Sequence, residues 1–274
     1  MTMRVAIQGE RGAYSEEAAV ARFPEAEVLP CAVLREVFEA VAAGRADAGM
    51  VPVENSQAGS INETYDLLLA HDLHITGEHD LRVRHCLLAL PGQSLAGVRS
   101  VYSHPQALAQ CDAFLREHGL TPVAAYDTAG SAKMVAEQRR REAGAIAGRQ
   151  AARIYGLEVL AEGIETNPNN YTKFLTLSTT PAPRATASKT SIVFTTRNVP
   201  GALYRSLGAL ASRNINLTKL ESRPRRDTPW EYVFYVDLEG HEADPEVAAA
   251  LAVLHTLCTF MRVLGSYPRA PRPP

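Results

Sequence analysis

The amino-acid sequence predicts an α/β protein in two parts, a two-lobed unit of strand and helix repeats followed across a linker by a ferredoxin-like βαββαβ module. Three observations carry this. Short apolar runs alternate with helical patterns from residue 4 to residue 160, the signature of layered α/β units with a largely parallel sheet. Around residues 72–90 the alternation stops, and LHITGEHDLRVRHCLLAL reads as one extended ribbon with no helix between its halves. Beyond residue 190 the runs follow the order β-α-β-β-α-β.

Taken in order, RVAIQG leads into SEEAAVARF, AGMVPVE into INETYDLLLAHD, and SVYSH into PQALAQCDAFLREHG. PVAAYD then leads into TAGSAKMVAEQRRR, and AGAIAG into RQAARIYG. Each strand ends in Gly, Ser, Thr, Asn or Asp just ahead of a helix, so backbone N–H groups and short polar side chains gather along one sheet edge, where anions bind. The ribbon suits a chain that crosses from one lobe to the other and later returns, with a cleft between them. TTPAPRATASK is rich in Pro, Ala, Ser and Thr and lacks large apolar residues, the composition of an exposed linker. The expected domains are residues 1–178 and 190–274, joined by the linker at 179–189. In the second of these, SIVFTTR, PGALYRSLGALASRN, INLTKLESRP, EYVFYVDLEGH, PEVAAALAVLHTL and MRVLGSY supply two helices for a four-stranded antiparallel sheet.

With 274 residues, 46% of them hydrophobic, the chain can bury a real core and exceeds one compact unit. Lys and Arg total 28 against 30 Asp and Glu, a net charge of −2, so no global field favours nucleic acid or an anionic membrane. Small molecules and other subunits are the expected partners. Cys31, Cys86, Cys111 and Cys258 lack the paired spacing of zinc or redox motifs. The first strand has neither the apolar core nor the cleavage site of a signal peptide. Together these set the expectation of a soluble cytoplasmic protein with reduced thiols. The longest apolar stretches, HCLLALPG and YDLLLAH, fall far short of the roughly 18 residues of a membrane span.

Five segments carry candidate chemistry. PNNYTKF (residues 168–174) sets the hydroxyl of Thr172 beside the ammonium of Lys173 at the start of an apolar run, an arrangement that can serve a dianionic substrate or simply reflect the strand propensity of threonine. GERGAYSEEAA (9–19) opens a helix with Ser15 as a candidate N-cap and Glu16 and Glu17 in its first turn, which disfavours a phosphate loop. VPVENSQAGS (51–60) ends a strand in Glu54, Asn55 and Ser56 and adds Gly59 and Ser60, the latter a candidate N-cap. SHPQALAQC (103–111) repeats the design with Ser103, His104 and Gln106. DTAGSAKMV (127–135) places Asp127 and Thr128 at another junction. The shared bias is toward neutral donors. With no His/Cys cluster, HExxH or GxSxG, metal-assisted hydrolysis and serine acyl transfer are poorly supported.

The ordered set GERGAYSEEAA, VPVENSQAGS, SHPQALAQC, DTAGSA, AGAIAGRQAARIYGLEVL and NNYTKF resembles prephenate dehydratase, and GALYRSLGALASRNINLTKLESRP with YVFYVDLEGH is similar to its ACT regulatory domain. The resemblance covers nearly the whole chain. It implies a catalytic domain of two lobes like type 2 periplasmic-binding proteins, and an elimination with no cofactor and no metal. Prephenate, with two carboxylates and a ring hydroxyl, loses carbon dioxide and water to give phenylpyruvate on the way to L-phenylalanine. Aromatisation drives the reaction, so the enzyme need only hold the dicarboxylate and help the hydroxyl leave. By the family's pattern Thr172 is the essential residue, and its hydroxyl acts as a positioned donor because free threonine is far too weak an acid. Asn55, Ser56, Ser60, Ser103, Gln106, Thr128 and Asn170 are the implied donors around the carboxylates. Glu54, Gly59, His104 and Phe174 complete the substrate site, with the role of Glu54 open between orienting its neighbours and acting as an acid. One departure stands out. The family's Thr-Arg-Phe is here Thr172, Lys173 and Phe174, which keeps the charge but loses the bidentate fork. Lys173→Ala is therefore expected mainly to raise KM.

For the regulatory part the resemblance implies L-phenylalanine as effector, bound between ACT domains of neighbouring subunits in a homodimer or homotetramer. Gly201, Ala202 and Leu203 at a helix start, Asn216 and Leu217, and the strand end Glu221, Ser222, Arg223 and Pro224 are the candidate contacts. The first strand begins by residue 4, so a monofunctional enzyme without the helical chorismate mutase domain of some relatives is expected. Two alternatives stay open, arogenate dehydratase and a non-catalytic amino-acid-sensing binding protein.

Overall fold

The computed structural model describes residues 2–225, 228 and 230–271. Two compact units emerge, Met1–Leu67 with His79–Leu175, and Leu68–Glu78 with Thr176–Pro274.

The chain opens with β1 (Arg4–Gln8), α1 (Tyr14–Arg22), β2 (Glu27–Cys31), α2 (Leu34–Ala42), β3 (Ala48–Asn55), β4 (Gly59–Ser60), α3 (Asn62–Ala70) and β5 (His74–Arg82). There follow β6 (Cys86–Ala89), β7 (Ser100–Ser103), α4 (Pro105–Gln110), α5 (Asp112–Glu117), β8 (Thr121–Ala124), α6 (Thr128–Glu137), β9 (Ala143–Ala147), α7 (Arg149–Tyr155) and β10 (Glu158–Glu162). The next strand, β11 (Tyr171–Ser178), returns to the first sheet. That sheet runs β2-β1-β3-β11-β5 with β4 folded back on β3, and the second runs β10-β6-β9-β7-β8. The expected ribbon is thus two strands, β5 and β6, in different sheets. Two lobes joined by two crossings are the plan of type 2 periplasmic-binding proteins.

Local physics explains these elements. Val5, Ala6 and Ile7 of β1 are fully buried, as in a parallel strand covered on both faces. On α2 the buried residues Leu34, Val37, Phe38 and Val41 fall at helical spacing, each worth roughly 1.5–3 kcal/mol when removed from water.

The second unit holds β12 (Ser188–Thr196), α8 (Ala202–Ala211), β13 (Leu217–Pro224), β14 (Tyr232–Glu239), α9 (Pro245–Leu257) and β15 (Cys258–Pro268). Its sheet runs β13-β14-β12-β15 with antiparallel pairings, the ferredoxin-like βαββαβ arrangement. Ile192, Phe194, Leu210, Leu251 and Leu254 build its core. Ser188 and Lys189, the end of the linker-like stretch, already belong to β12 and are buried.

Candidate active site

The first unit encloses a cleft of about 400 Å³, a size that suits a small organic ligand. Its wall takes Gln8, Gly9, Ala13, Tyr14 and Ser15 from the turn between β1 and α1, Asn55 from the end of β3, and Ile61 and Glu63 from the start of α3. Val83 and His85 come from the crossover, and His104, Gln106, Ala107 and Gln110 from α4 and its cap. Tyr126, Asp127 and Thr128 come from the start of α6, and Thr172 and Phe174 from β11.

Thr172 and Phe174 are buried while Tyr171 and Lys173 are half-buried, because successive side chains of a strand face opposite ways. Thr172 faces the cleft. Lys173 is turned from it, its ammonium 2.9 Å from Asp80 Oδ1 on the neighbouring strand β5. Carboxylate binding, expected of Lys173 as a substrate residue, is therefore not what this geometry offers. Phe174 lines the cleft and also belongs to the core around Val5, Ile7 and Met50.

A directed hydrogen-bond chain ends on Thr172. Asn55 Oδ1 takes the backbone N–H groups of Gln57 and Ala58, both at 3.0 Å. Backbone nitrogens only donate, so this end of the amide is the oxygen. The two hydrogens of Asn55 Nδ2 are then shared among three acceptors, Asn170 Oδ1 at 2.8 Å, Thr172 Oγ1 at 3.0 Å and Tyr171 O at 3.2 Å. With its oxygen accepting, Thr172 has its own proton left to donate into the cleft. Gln110 Nε2 donates to the same Asn55 oxygen at 3.3 Å, and Gln110 Oε1 accepts from Asn170 Nδ2 at 3.0 Å.

That oxygen also faces His85 Nε2 at 2.8 Å. His85 Nε2 must therefore carry a proton, which leaves Nδ1 to accept from the Tyr14 hydroxyl at 2.8 Å. Burial holds the His85 imidazole below its ordinary value of 6.5 despite the Gln110 bond and the nearby Glu165, so it is neutral at pH 7. Burial also raises the Tyr14 phenol well above 10. Tyr14, His85, Gln110, Asn55 and Thr172 thus form a neutral chain. Amides do not relay protons in their ordinary form, so the chain transmits orientation.

Helix ends at the cleft differ from expectation. His104 Nδ1 caps α4 by accepting from Gln106 N at 3.2 Å, and Asp127 Oδ1 caps α6 by accepting from Gly130 N. Two of the expected anion sites are thus occupied by the protein's own side chains. Ala13 is the N-cap of α1 and offers no capping side chain, with Ser15 already inside the helix. Ser60 lies in β4 rather than capping α3, and pairs across the hairpin with Glu54, as Gly59 does with Asn55.

Ser103 is fully buried and donates to Ile146 O at 2.6 Å. Ser56 Oγ donates to Asn169 O and accepts from Tyr171 N, both at 3.0 Å. Asn55, His104, Gln106, Thr128, Thr172 and Phe174 therefore reach the cleft wall, and Asn170 stands behind it. Glu54, Ser56, Gly59, Ser60, Ser103 and Lys173 lie off it.

Tyr14, His85 and Gln110 line the cleft outside the expected set, and Asp127, expected only as a junction residue, joins them. Gln110 lies four residues beyond Gln106, on the same helix face, and Asp127 precedes a helix as an N-cap does, so both left a signal. Tyr14 and His85 meet across 71 residues and left none. Among the described residues no group of His, Cys, Asp and Glu is arranged to hold a metal, and no helix is long and apolar enough to cross a membrane.

In the second unit Gly201 is the N-cap of α8, at φ +77°, a conformation that favours glycine. Ala202 and Leu203 begin that helix. Leu203 and Leu217 pack against the core, while Asn216 O accepts from Glu239 N at 3.0 Å. Along β13, at the sheet edge, Leu217, Glu221 and Arg223 share the half-buried face, whereas Ser222 and Pro224 point to solvent. The alternation thus divides the five candidate effector contacts on β13.

A family model described as prephenate dehydratase matches residues 5–182, and one described as ACT domain matches residues 190–256. Among curated relatives, arogenate dehydratase/prephenate dehydratase 2 of Arabidopsis thaliana is 48% identical over 97% of this chain and 73% of its own length. Arogenate dehydratase 2 of Petunia hybrida is 47% identical over 97% of this chain and 72% of its own. Among solved structures, GqqA, described as a novel type of quorum quenching acylase, superposes with TM-score 0.91 at 40% identity, covering 98% of both chains. The prephenate dehydratase of Arthrobacter aurescens in complex with L-Phe gives TM-score 0.89 at 35% identity, covering 97% of this chain and 90% of its own.

The comparisons correct one expectation. Several of these relatives are named chloroplastic, which overturns the reading of a cytoplasmic protein. That reading rested on unpaired thiols and on the first residues of the chain, and isolated reduced cysteines suit any reducing compartment.

Proposed function

This chain belongs to the prephenate dehydratase family, carbon–oxygen lyases, and carries an ACT domain; on that premise we propose that it converts arogenate to L-phenylalanine by decarboxylating dehydration, with prephenate to phenylpyruvate as a second reaction. The observation that carries the chemistry is the Thr172 hydroxyl, turned toward the cleft by Asn55 Nδ2 at 3.0 Å. As the ring carboxylate leaves as carbon dioxide, its bonding pair enters the ring and the opposite hydroxyl departs, taking up one proton to become water. Thr172 donates to that oxygen as charge develops on it, in a buried site where such a donor is worth most. Gln106 and Thr128 face the same cleft as neutral donors for the carboxylates.

Arogenate is placed first because the curated relatives, at 43–48% identity, are named arogenate dehydratases or arogenate/prephenate dehydratases. The family model and the Arthrobacter structure favour prephenate as the second substrate. An acylase, the description given to GqqA, needs a nucleophile beside a base, and the partner of Thr172 here is an amide. In this reading residues 1–178 are catalytic, 179–189 the linker and 190–274 regulatory. L-Phenylalanine is the effector, bound between the ACT domains of at least a dimer. Incubating the purified protein with arogenate, prephenate and an N-acyl amide tests the proposal by product analysis. Phenylalanine from arogenate, at a higher kcat/KM than phenylpyruvate from prephenate, is expected. Turnover of neither would return the chain to the binding-protein reading, and amide cleavage alone would favour the acylase.

A further inference from the structure

We propose that Asp127, beside Gly9 in the wall of the cleft, is the residue that selects a substrate carrying an α-amino acid side chain over its keto counterpart. The inference rests on the dehydratase reading above and assigns the ammonium of that substrate to the Asp127 carboxylate.

The first ground is the charge of the cleft. Its described wall holds the carboxylates of Glu63 and Asp127 and neither lysine nor arginine. The nearby cations are engaged elsewhere: Lys173 pairs with Asp80, Lys133 with Glu10 at 3.1 Å, and Arg11 with Glu16 at 2.6 Å. Of the two imidazoles, His85 is neutral within the Thr172 chain, and His104 spends Nδ1 on its own helix. A dicarboxylate with a keto side chain adds only negative charge to such a wall. Its amino counterpart brings one ammonium, and opposite charges in a partly buried site attract far more than in water.

Geometry says where that ammonium goes. Asp127 Oδ1 is held by Gly130 N at the start of α6, so the carboxylate is fixed without help from a ligand. Gly9 lies beside the other oxygen: a Cβ on Gly9 would stand 3.9 Å from Asp127 Oδ2 and 3.4 Å from Ala13 Cβ. Gly9 has φ +97°, so a hydrogen-only surface separates Asp127 from the beginning of α1. There Ala13 brings no capping side chain, so the space beside Asp127 at the start of α1 is bounded by a hydrogen and a methyl group. Burial also pushes the Asp127 carboxyl above its ordinary value, with Glu10 adding to the shift and Gly130, His104 and Lys133 opposing it. A carboxylate short of solvation gains most from a cationic partner.

Asp127 is also an N-cap, and the test separates the two roles. Asp127→Ser keeps a capping oxygen for Gly130 and removes the charge, whereas Asp127→Asn keeps size and cap. Steady-state kinetics of the full chain with arogenate and with prephenate give the ratio of the two kcat/KM values. The ratio is expected to fall about 10- to 100-fold toward prephenate in both variants, mainly through KM for arogenate, as for loss of one hydrogen bond to a charged group. Equal losses for both substrates would reduce Asp127 to a cap, and an unchanged ratio would equally overturn the proposal. If the unaltered protein turns over neither substrate, the dehydratase reading itself fails and this inference falls with it. Wild-type turnover with an unmoved ratio sinks the inference alone.

Discussion

Two groups of buried polar side chains, one around Thr172 in the first unit and one around Lys189 in the second, show two ways of burying polarity. Around Thr172 the members are neutral and their bonds run in one direction, from Tyr14 through His85, Gln110 and Asn55. Around Lys189 they include an ion pair and run in no single direction. Lys189 Nζ lies 2.6 Å from Glu78 Oε2, with side chains only 7% and 2% exposed, and Glu78 Oε1 accepts from Ala270 N at 3.1 Å. Ser191 bridges Asp237 at 2.6 Å and the Tyr267 hydroxyl at 2.8 Å. The first group keeps the Thr172 hydroxyl for a cleft, and the second pairs its polar atoms with one another and with the backbone. Burial alone does not mark a functional site. What sets the first group apart is a directed network that ends on a hydroxyl in a cleft wall.

The comparison is broken most directly at Thr172. Thr172→Val removes the unspent proton and should lower kcat about 10²- to 10³-fold with little change in KM, as for a lost transition-state donor. Thr172→Ser should retain much of the activity. Asn55→Asp keeps the Gln57 and Ala58 bonds but turns an acceptor toward Thr172, which then points its proton inward. Its kcat should fall about as far as that of a donor-loss variant, while circular dichroism stays native.

In the second group the effect should fall on stability. Lys189→Met leaves Glu78 buried without its cation and should cost about 3–5 kcal/mol in denaturant unfolding. The double variant Lys189→Met/Glu78→Leu should recover most of that loss. A double variant as unstable as the single one would mean that the pair is more than a closed charge cluster.

A smaller effect separates the groups by pH. His85 has its folded value depressed by burial, so the unfolded chain takes up the proton first. Stability from this residue is therefore full above about 6.5, the unperturbed histidine value, and is lost as pH falls from there toward the folded value. His85→Gln keeps a donor toward Gln110 without titrating. Its melting temperature should drop less than that of the parent protein between pH 7.5 and 5.5, about one unit either side of the free imidazole.

The smallest effect is expected at Lys173. Its ion pair with Asp80 lies off the cleft, so Lys173→Ala should change KM for either substrate by less than about threefold, within the small worth of a partly exposed pair. A tenfold rise would bring Lys173 back into the substrate site.

Much of the fold was legible because hydrophobic period is a local property. Strand and helix alternation marked both lobes, and the βαββαβ order marked the second unit. The site was legible in part. Thr172, Asn55, Gln106 and Thr128 sit at strand ends and helix starts, where neutral donors stand out against apolar runs. Ser103 shared that pattern and proved to serve Ile146 O, since a strand-end serine looks the same whether it faces a cleft or a backbone carbonyl. Lys173 misled because it adjoins Thr172 in sequence, while the pleat of β11 sends it to the opposite face.

By itself, the sequence determined the α/β class, the βαββαβ tail and the presence of a Thr172 hydroxyl among neutral donors, because propensity, period and composition are written residue by residue. Tertiary structure alone decided which donors meet. His85 joins Tyr14 across 71 residues and Asn55 joins Thr172 across 117, and such contacts depend on how two sheets and their crossings pack. The direction of the Thr172 proton follows from that packing, since it is set by what Asn55 can still accept and donate after the backbone of Gln57 and Ala58 has claimed its oxygen.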